Sequence, residues 1–420
     1  MKKRTLALTM AAVMAATCFA GCGSSEEAKT EGGEENGEIV LKVFDAHAYG
    51  LDEYDVMKAA FEADHPGVKV EVQHAANDAN ALLQSRVNSG DIPDVFDVES
   101  GMAAQSYYEY AYDWTEDTEV LEKFGEAALK TGTTEDGKVM SLPWTYENMG
   151  LIYNVDCFEK AGITELPATM DELEEACKKL KEAGITPIAL AAKETWVLQQ
   201  VSTHFMMDKE LNAKGVVEKI NNGELTFKDM PNFDNLYRFL DMAVEYGPAK
   251  PMETDWETCE NMLANGEAAI IHMGDWCQAT LNEMNPDLNA AFLPFPVSDK
   301  PEDATLLSSC NWTYIVNKDS KNLELAKEYA EYILSSEEGQ KWMCQGVGSV
   351  PGVNTDMEIA GKLANDAKNY VEEGKTNAWI HTISPVGYGD NVGPMMQSYM
   401  MGEMSKEDVT QGFQDFWVTE

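Results

Sequence analysis

Positive charge is what this chain has least of. Its 420 residues carry 31 Lys plus Arg against 73 Asp plus Glu, a formal net charge of −42. Binding to nucleic acid or to an anionic membrane surface rests on clustered Lys and Arg, and no cluster occurs beyond the first few residues, so neither is a suitable partner. No CxxC pair or other metal-type spacing joins the cysteines, which argues against a zinc cluster. There is no GxSxG elbow, no Walker loop and no HExxH, and the six His are scattered without ligand spacing. The one long apolar run, Leu6 to Phe19, is too short for a spanning helix with stop-transfer flanks. With 44% hydrophobic residues the chain is too apolar to be disordered, and it is too long for one ordinary core, so two packed domains are expected.

Lys2, Lys3 and Arg4 precede the apolar run and Phe19-Ala20-Gly21-Cys22 ends it, the pattern of an export signal over residues 1–21. The closing tetrapeptide resembles the bacterial lipobox, whose Cys takes diacylglycerol on sulfur and becomes the mature N-terminus. Phe19 replaces the usual Leu, and the alternative is a plain cleaved signal with an incidental Cys. Residues 22–37 hold no large apolar side chain and read as a flexible tether, so lipid at Cys22 is the expected membrane anchor. Loss of residues 1–21 leaves 28 basic against 73 acidic residues, a net charge of −45. Export permits disulfides among the remaining six cysteines without requiring them.

From Ile39 onward short strands alternate with amphipathic helices. Ile39 to Phe44 is a strand, residues 52–64 predict a helix with Val56, Met57, Ala60 and Phe61 on one face, and Val68 to Val72 alternates with period two, a βαβ order. A helix over about 80–88 and a buried strand over 93–98 follow. Thr169 with Glu172 forms a capping box for a helix whose Leu173, Ala176, Cys177 and Leu180 share a face, which makes Cys177 a buried thiol, and Gly184 ends it. Strands at 187–190 and 267–271 and a helix over 323–334 complete the coarse reading. No internal repeat is present.

Four stretches in this order resemble the extracellular solute-binding proteins of carbohydrate ABC importers, related to maltose-binding protein. They are Ser89-Gly90-Asp91-Ile92-Pro93-Asp94-Val95; Leu142 to Asn154 with Phe158-Glu159-Lys160-Ala161-Gly162 and Pro167 to Leu173; Asn265 to Trp276; and Val316-Asn317-Lys318-Asp319-Ser320-Lys321 leading to Ser335-Ser336-Glu337-Glu338-Gly339. The resemblance spans nearly the whole mature chain. It implies an α/β, periplasmic-binding-protein-like fold: two discontinuous lobes joined by a hinge, with ligand in the cleft between them. Residues 38–143 plus 268–310 are expected in the first lobe, and 144–267 plus 311–420 in the second. The implied partners are a small carbohydrate and the membrane permease subunits, with the protein a monomer needing no cofactor and no metal.

A pyranose has an apolar C–H face and a hydroxyl rim, so its site needs flat aromatic surfaces and hydrogen-bonding side chains. Of nine Trp, Trp144, Trp276 and Trp312 stand at strand exits or lobe crossings, where ligands of open α/β sheets collect. Trp276 falls where the family commonly places a stacking aromatic, and Trp196 lies in another such position, although core packing explains it equally well. Trp114, Trp256, Trp342 and Trp417 read as structural. Glu147, beside Tyr146 in the crossing, aligns with an acidic ligand contact of the family; a solvated hinge carboxylate is the alternative. His47 matches a position for hydroxyl contacts, and Glu99 with Ser100 follows the third strand. Asp275, Asn311, Tyr388 and Asp390 complete the candidates. Two other functions stay open: a polyamine or metal receptor of the same fold, with carboxylates around an aromatic box, and a glycosidase, which needs only two suitably spaced carboxylates.

Overall fold

The computed structural model describes residues 38–75 and 79–419, which fold as two α/β lobes, each around its own sheet. In the first lobe β1 (Ile39–Asp45), β2 (Val68–His74) and β3 (Val95–Glu99) run parallel, and the strand order is β2-β1-β3-β10-β4. Here β4 is Leu142–Pro143 and β10 is Trp312–Val316, which lies antiparallel to both neighbours. The second sheet is built on the ten-residue β5 (Thr145–Asn154), with order β12-β9-β5-β7-β6. Its other members are β6 (Thr186–Ala189), β7 (Ala268–Gly274), β9 (Leu306–Cys310) and β12 (Thr376–Asn377), while β8 (Ala290–Leu293) and β11 (Val350–Pro351) also pair with β5.

Local sequence signals account for most elements. The capping box is present, with the Thr169 hydroxyl accepting from the Glu172 N–H and the Glu172 carboxylate accepting from the Thr169 N–H, and helix Met170–Glu182 buries Leu173, Ala176, Cys177 and Leu180. Helix Leu51–Asp64 differs from expectation in its face: Tyr54, Met57 and Phe61 are buried and Val56 is mostly exposed, because the first sheet takes the i, i+3, i+7 row. All six cysteines among the described residues are buried free thiols. No helix among those residues is long and apolar enough to cross a membrane. The export signal, Cys22 and the tether lie outside the described residues.

The expected lobe boundaries need correcting. Residues 268–310 do not return to the first lobe: β7, β8 and β9 all pair with β5, in registers such as Ile152 opposite Ile271 and Glu147 opposite Ser309. All seven residues of β7 are buried, as befits a central strand, and its core is that of the second lobe. Conversely β10 and helix Leu323–Ser335 complete the first lobe, burying Tyr314, Ala326, Tyr329 and Ile333 against Leu41 and Phe61. The crossings therefore lie at Trp144, at Asn311 and near Gly352.

Those three crossings are hydrogen-bonded to one another. The Trp144 N–H donates to the Trp312 carbonyl (3.1 Å) and the Gly352 N–H to the Trp144 carbonyl (2.6 Å), while Tyr146 pairs with Cys310 on one side and Val350 on the other. A Cβ on Gly352 would stand 3.0 Å from the Pro143 carbonyl oxygen, so only glycine fits between the strands without displacement.

Candidate functional site

The first lobe brings the carboxyl ends of β1 and β3 to the space between the lobes, the position where open α/β sheets collect ligands. Asp45 ends β1, Asp97 lies within β3, and the turn after β1 folds onto both. The Ala46 N–H donates to Asp97 Oδ1 (2.6 Å), the His47 N–H to Asp45 Oδ1 (2.8 Å), and His47 Nδ1 lies 2.9 Å from Asp97 Oδ2. Burial works against a charged imidazole, but the hydrogen bonds to Asp45 and Asp97 outweigh it and hold the His47 pKa well above the ordinary value. Burial and the neighbouring Asp45 charge push Asp97 upward. The Asp45, His47 and Asp97 ligand atoms lie close enough together to hold a metal ion, yet each is already engaged in this internal ion cluster. Aromatic rings flank the imidazole: Trp312 edge-on at 4.3 Å, Trp144 at 4.6 Å and Tyr49 at 5.4 Å.

The second lobe supplies the facing wall of a cavity of about 430 Å³. Helix Thr195–His204 contributes Trp196 and, one turn on, Gln200; helix Trp256–Ala264 contributes its first residue; and Trp276 and Trp379 come from the loop after β7 and the loop after β12. Gly274 lies beneath the Trp276 indole so closely that a Cβ would fall 1.8 Å from the ring. Glu147 and Asn311 enter from the hinge strands, with Asn311 Nδ2 donating to Glu147 Oε2 at 3.1 Å. Burial raises the Glu147 pKa to about 7 against the pull of the His47 charge, with Asp275 adding to the rise. Asn311 Oδ1 and Gln200 Oε1 are buried without a hydrogen-bond partner, a costly state that a bound donor would relieve. Behind the wall, one turn beyond Trp256, Glu260 is fully buried and neither carboxylate oxygen has a partner; burial, with Glu257 nearby, raises its pKa to about 8. The lobes also touch at Gly101, where a Cβ would meet the Thr382 carbonyl oxygen at 1.9 Å.

A family model for the bacterial extracellular solute-binding proteins matches residues 48–340. The chain belongs to this family. Among relatives, it is 23% identical over 378 residues to the melibiose/raffinose/stachyose-binding protein MelE of Bacillus subtilis (strain 168), covering 86% of this chain and 84% of that protein. It is 23% identical to the multiple sugar-binding protein of Streptococcus mutans serotype c, covering 74% and 76% respectively. The fold matches the solute-binding protein RafE in complex with raffinose at a TM-score of 0.78 and 18% identity, over 91% of this chain and 99% of that one. A sugar transporter protein of Bacillus licheniformis in complex with stachyose matches at 0.76 and 20%, over 91% and 100%.

In this solute-binding protein seven of the candidate residues surround the one cavity: His47, Glu99, Glu147, Trp196, Trp276, Asn311 and Trp312. The other six stand elsewhere. Trp144 is buried behind His47, stacked on Trp342 at 5.2 Å. Ser100 is buried and hydrogen-bonds through its N–H to the Asn311 carbonyl. Tyr146 lies on the far side of β5, because neighbours along a strand face opposite ways, so Glu147 alone reaches the cavity. Asp275 is spent on the hinge, accepting from the Asn148 N–H (3.0 Å) and side-chain amide (2.7 Å). Tyr388 is buried among Phe413, Phe416 and Trp417, with Ser202 in reach of its hydroxyl, and Asp390 is exposed on the same helix, Tyr388–Met400. Trp256, read as structural, lines the cavity, as do Tyr49, Gln200 and Trp379, which the sequence reading did not single out. For Trp256 a signal existed: the Asp255 side chain caps its helix, accepting from the Thr258 N–H, and so places Trp256 at the loop end.

Proposed function

We propose that this chain is the substrate-binding lipoprotein of an ABC importer, anchored by lipid at Cys22 to the outer face of the cell membrane, which captures a sugar or short oligosaccharide and delivers it to the permease. The observation that carries the reading is the composition of the cavity wall: indole and phenol faces around the buried amide oxygens of Asn311 and Gln200, which lack partners. Flat apolar surfaces suit the C–H faces of sugar rings, and unpartnered Asn311 Oδ1 and Gln200 Oε1 suit hydroxyl donors. The sugars for which MelE and the multiple sugar-binding protein are named agree with this chemistry.

The mechanism follows from the two-lobe wall. Ligand held by Trp312 and His47 on one side and by Trp276 and Trp379 on the other makes its full set of contacts only when the lobes meet. It therefore shifts the population toward the closed form by its differential affinity for that form. The closed receptor docks on the permease, where a separate subunit hydrolyses ATP, and no catalysis by this chain is required.

Titration calorimetry of the Cys22→Ser chain with neutral mono- and oligosaccharides and with spermidine tests the proposal, the sugar being recovered afterward. Saturable binding of an intact sugar is expected. Cleaved sugar would make Glu99 and Glu147 catalytic carboxylates, and spermidine binding alone would make the indoles a cation box; either outcome ends the importer reading for sugar.

A further inference from the structure

The two lobes meet directly at Gly101 and Thr382, backbone against backbone. A Cβ on Gly101 would stand 1.9 Å from the Thr382 carbonyl oxygen, 2.8 Å from its carbonyl carbon and 3.2 Å from its Cβ. Gly101 also has φ 75° and ψ −132°, a conformation open essentially to glycine. A turn explains the second property but not the first. Gly67, Gly90, Gly137 and Gly184 have positive φ as well, and a Cβ on any of them would find nothing within 4 Å. At Gly101 the missing side chain therefore serves an approach between lobes as well as a turn within one.

Both partners are tied to the walls of the cavity. Gly101 comes two residues after Glu99 of the wall, and the Ser100 N–H between them donates to the Asn311 carbonyl (2.8 Å). Thr382 comes three residues after Trp379 of the facing wall. Its hydroxyl donates to the Trp379 carbonyl (3.1 Å), and the Trp379 N–H donates to Ser309 Oγ on β9 (3.1 Å). The gap between Gly101 and Thr382 is thus coupled to the gap between the walls, although Gly101 is not among the residues that line the cavity. Raising the 1.9 Å approach to an ordinary contact of about 3.4 Å would part the walls by on the order of 1.5 Å. A gap of about 0.5–1 Å already forfeits a quarter to a half of a dispersion contact. Given cargo held between the lobes, as proposed above, we infer that the Gly101–Thr382 contact is the stop of lobe closure. Gly101 is then a positioning residue for capture, setting the width of the closed cleft without touching the cargo.

Two measurements on the Cys22→Ser chain test this. In the first, Met102→Cys and Ile383→Cys place one thiol beside each partner; the two positions are 40% and 37% exposed, and the six native thiols among the described residues are buried. A short bifunctional thiol reagent added to the sugar-free chain should bridge them while residue 101 is glycine, and Gly101→Leu should slow the bridging at least ~10-fold. In the second, raffinose is titrated by calorimetry into the Gly101→Ala and Gly101→Leu chains. Neither replacement branches at Cβ, so the two share the backbone penalty of a positive φ and differ in reach. Binding ~10-fold weaker for Ala and ~100-fold weaker for Leu is expected, the scale of an ångström of misplacement. Failure of the bridge to form with glycine at 101 overturns the proposal. Equal losses of affinity from Ala and Leu, or no loss from either, overturn it too, because a wedge must grow with the side chain. Bridging that Gly101→Leu slows, beside silence toward raffinose, supports the stop and counts against the sugar reading alone.

Discussion

Glu260 offers the sharpest quantitative test of the physical account. Its carboxyl is fully buried, neither oxygen has a hydrogen-bond partner, and its pKa rises from 4.5 to about 8. A folded-state pKa above the unfolded one means that the stability is fully present below about pH 4.5 and is lost as pH climbs through about 8. At pH 7 the gap of 2.5 between pH and the unfolded value, at 1.36 kcal/mol for each, puts the cost of keeping the acid protonated at about 3 kcal/mol; above pH 8 it approaches about 5 kcal/mol. Glu260→Met replaces the carboxyl by an apolar chain of similar length and removes the titration. For a lobe of roughly 220 residues, where 1 kcal/mol moves Tm by about 2–4 °C, the cost of about 4 kcal/mol at pH 8 should make the variant melt about 8–16 °C above wild type there. At pH 4.5 the two curves should nearly coincide. Differential scanning calorimetry from pH 4.5 to 9 reads both. A constant Tm difference across that range, or a variant less stable at pH 8, would refute the picture of a neutral, unpartnered acid.

Trp276→Ala should weaken sugar binding ~30-fold or more while leaving Tm within a few degrees, as expected for a half-buried platform; unchanged affinity in calorimetry removes Trp276 from the site. Gly274→Ala should reproduce most of that loss without touching the ring itself, because the new Cβ occupies the indole's place. Combining the two changes should cost little more than either alone, and full additivity would show that Gly274 acts by another route. The facing pair His204 and His272, whose Nε2 atoms lie 3.3 Å apart in the second core, is held neutral by burial, with the His272 pKa lowered to about 3. Stability should therefore also fall as pH drops below about 6.5, and His272→Gln should flatten that acid limb in thermal melts; an unchanged limb assigns it to other groups. Cys22→Ser should move the protein from the membrane fraction to the medium, and retention on membranes contradicts lipidation there.

What the sequence made legible was local. The strands at Ile39 and Val68, the Thr169 box and the apolar row of helix Leu323–Ser335 each announce themselves within a dozen residues, through period, cap or glycine. Lobe membership was not of that kind. That Ile271 faces Ile152 and that Trp312 faces Glu99 are pairings across more than a hundred residues, and no short window of sequence contains them. The site divides the same way. His47, Glu99, Trp276 and Asn311 follow strand ends, so the rule that ligands gather there finds them. Trp379 sits in a loop with no periodic context, and only the fold reveals that its ring meets Trp276. Asp275 misled because a polar residue near a crossing serves equally well to hold the strand that leaves it, and Tyr388 because a glycine-flanked aromatic serves equally well in the core.

Glu147 and Asn311 belong at once to the cavity wall and to the strands about which the lobes turn. On the proposed reading, contact with cargo and the poise of the hinge would be written in the same two side chains. Apparent affinity is the intrinsic affinity scaled by the fraction of molecules able to close. On that reading, a change at either position that adapted the receptor to a new sugar would also reset how often the empty receptor closes, and with it how readily cargo is let go at the permease. Drift in specificity at the hinge would thus be tied to transport rate.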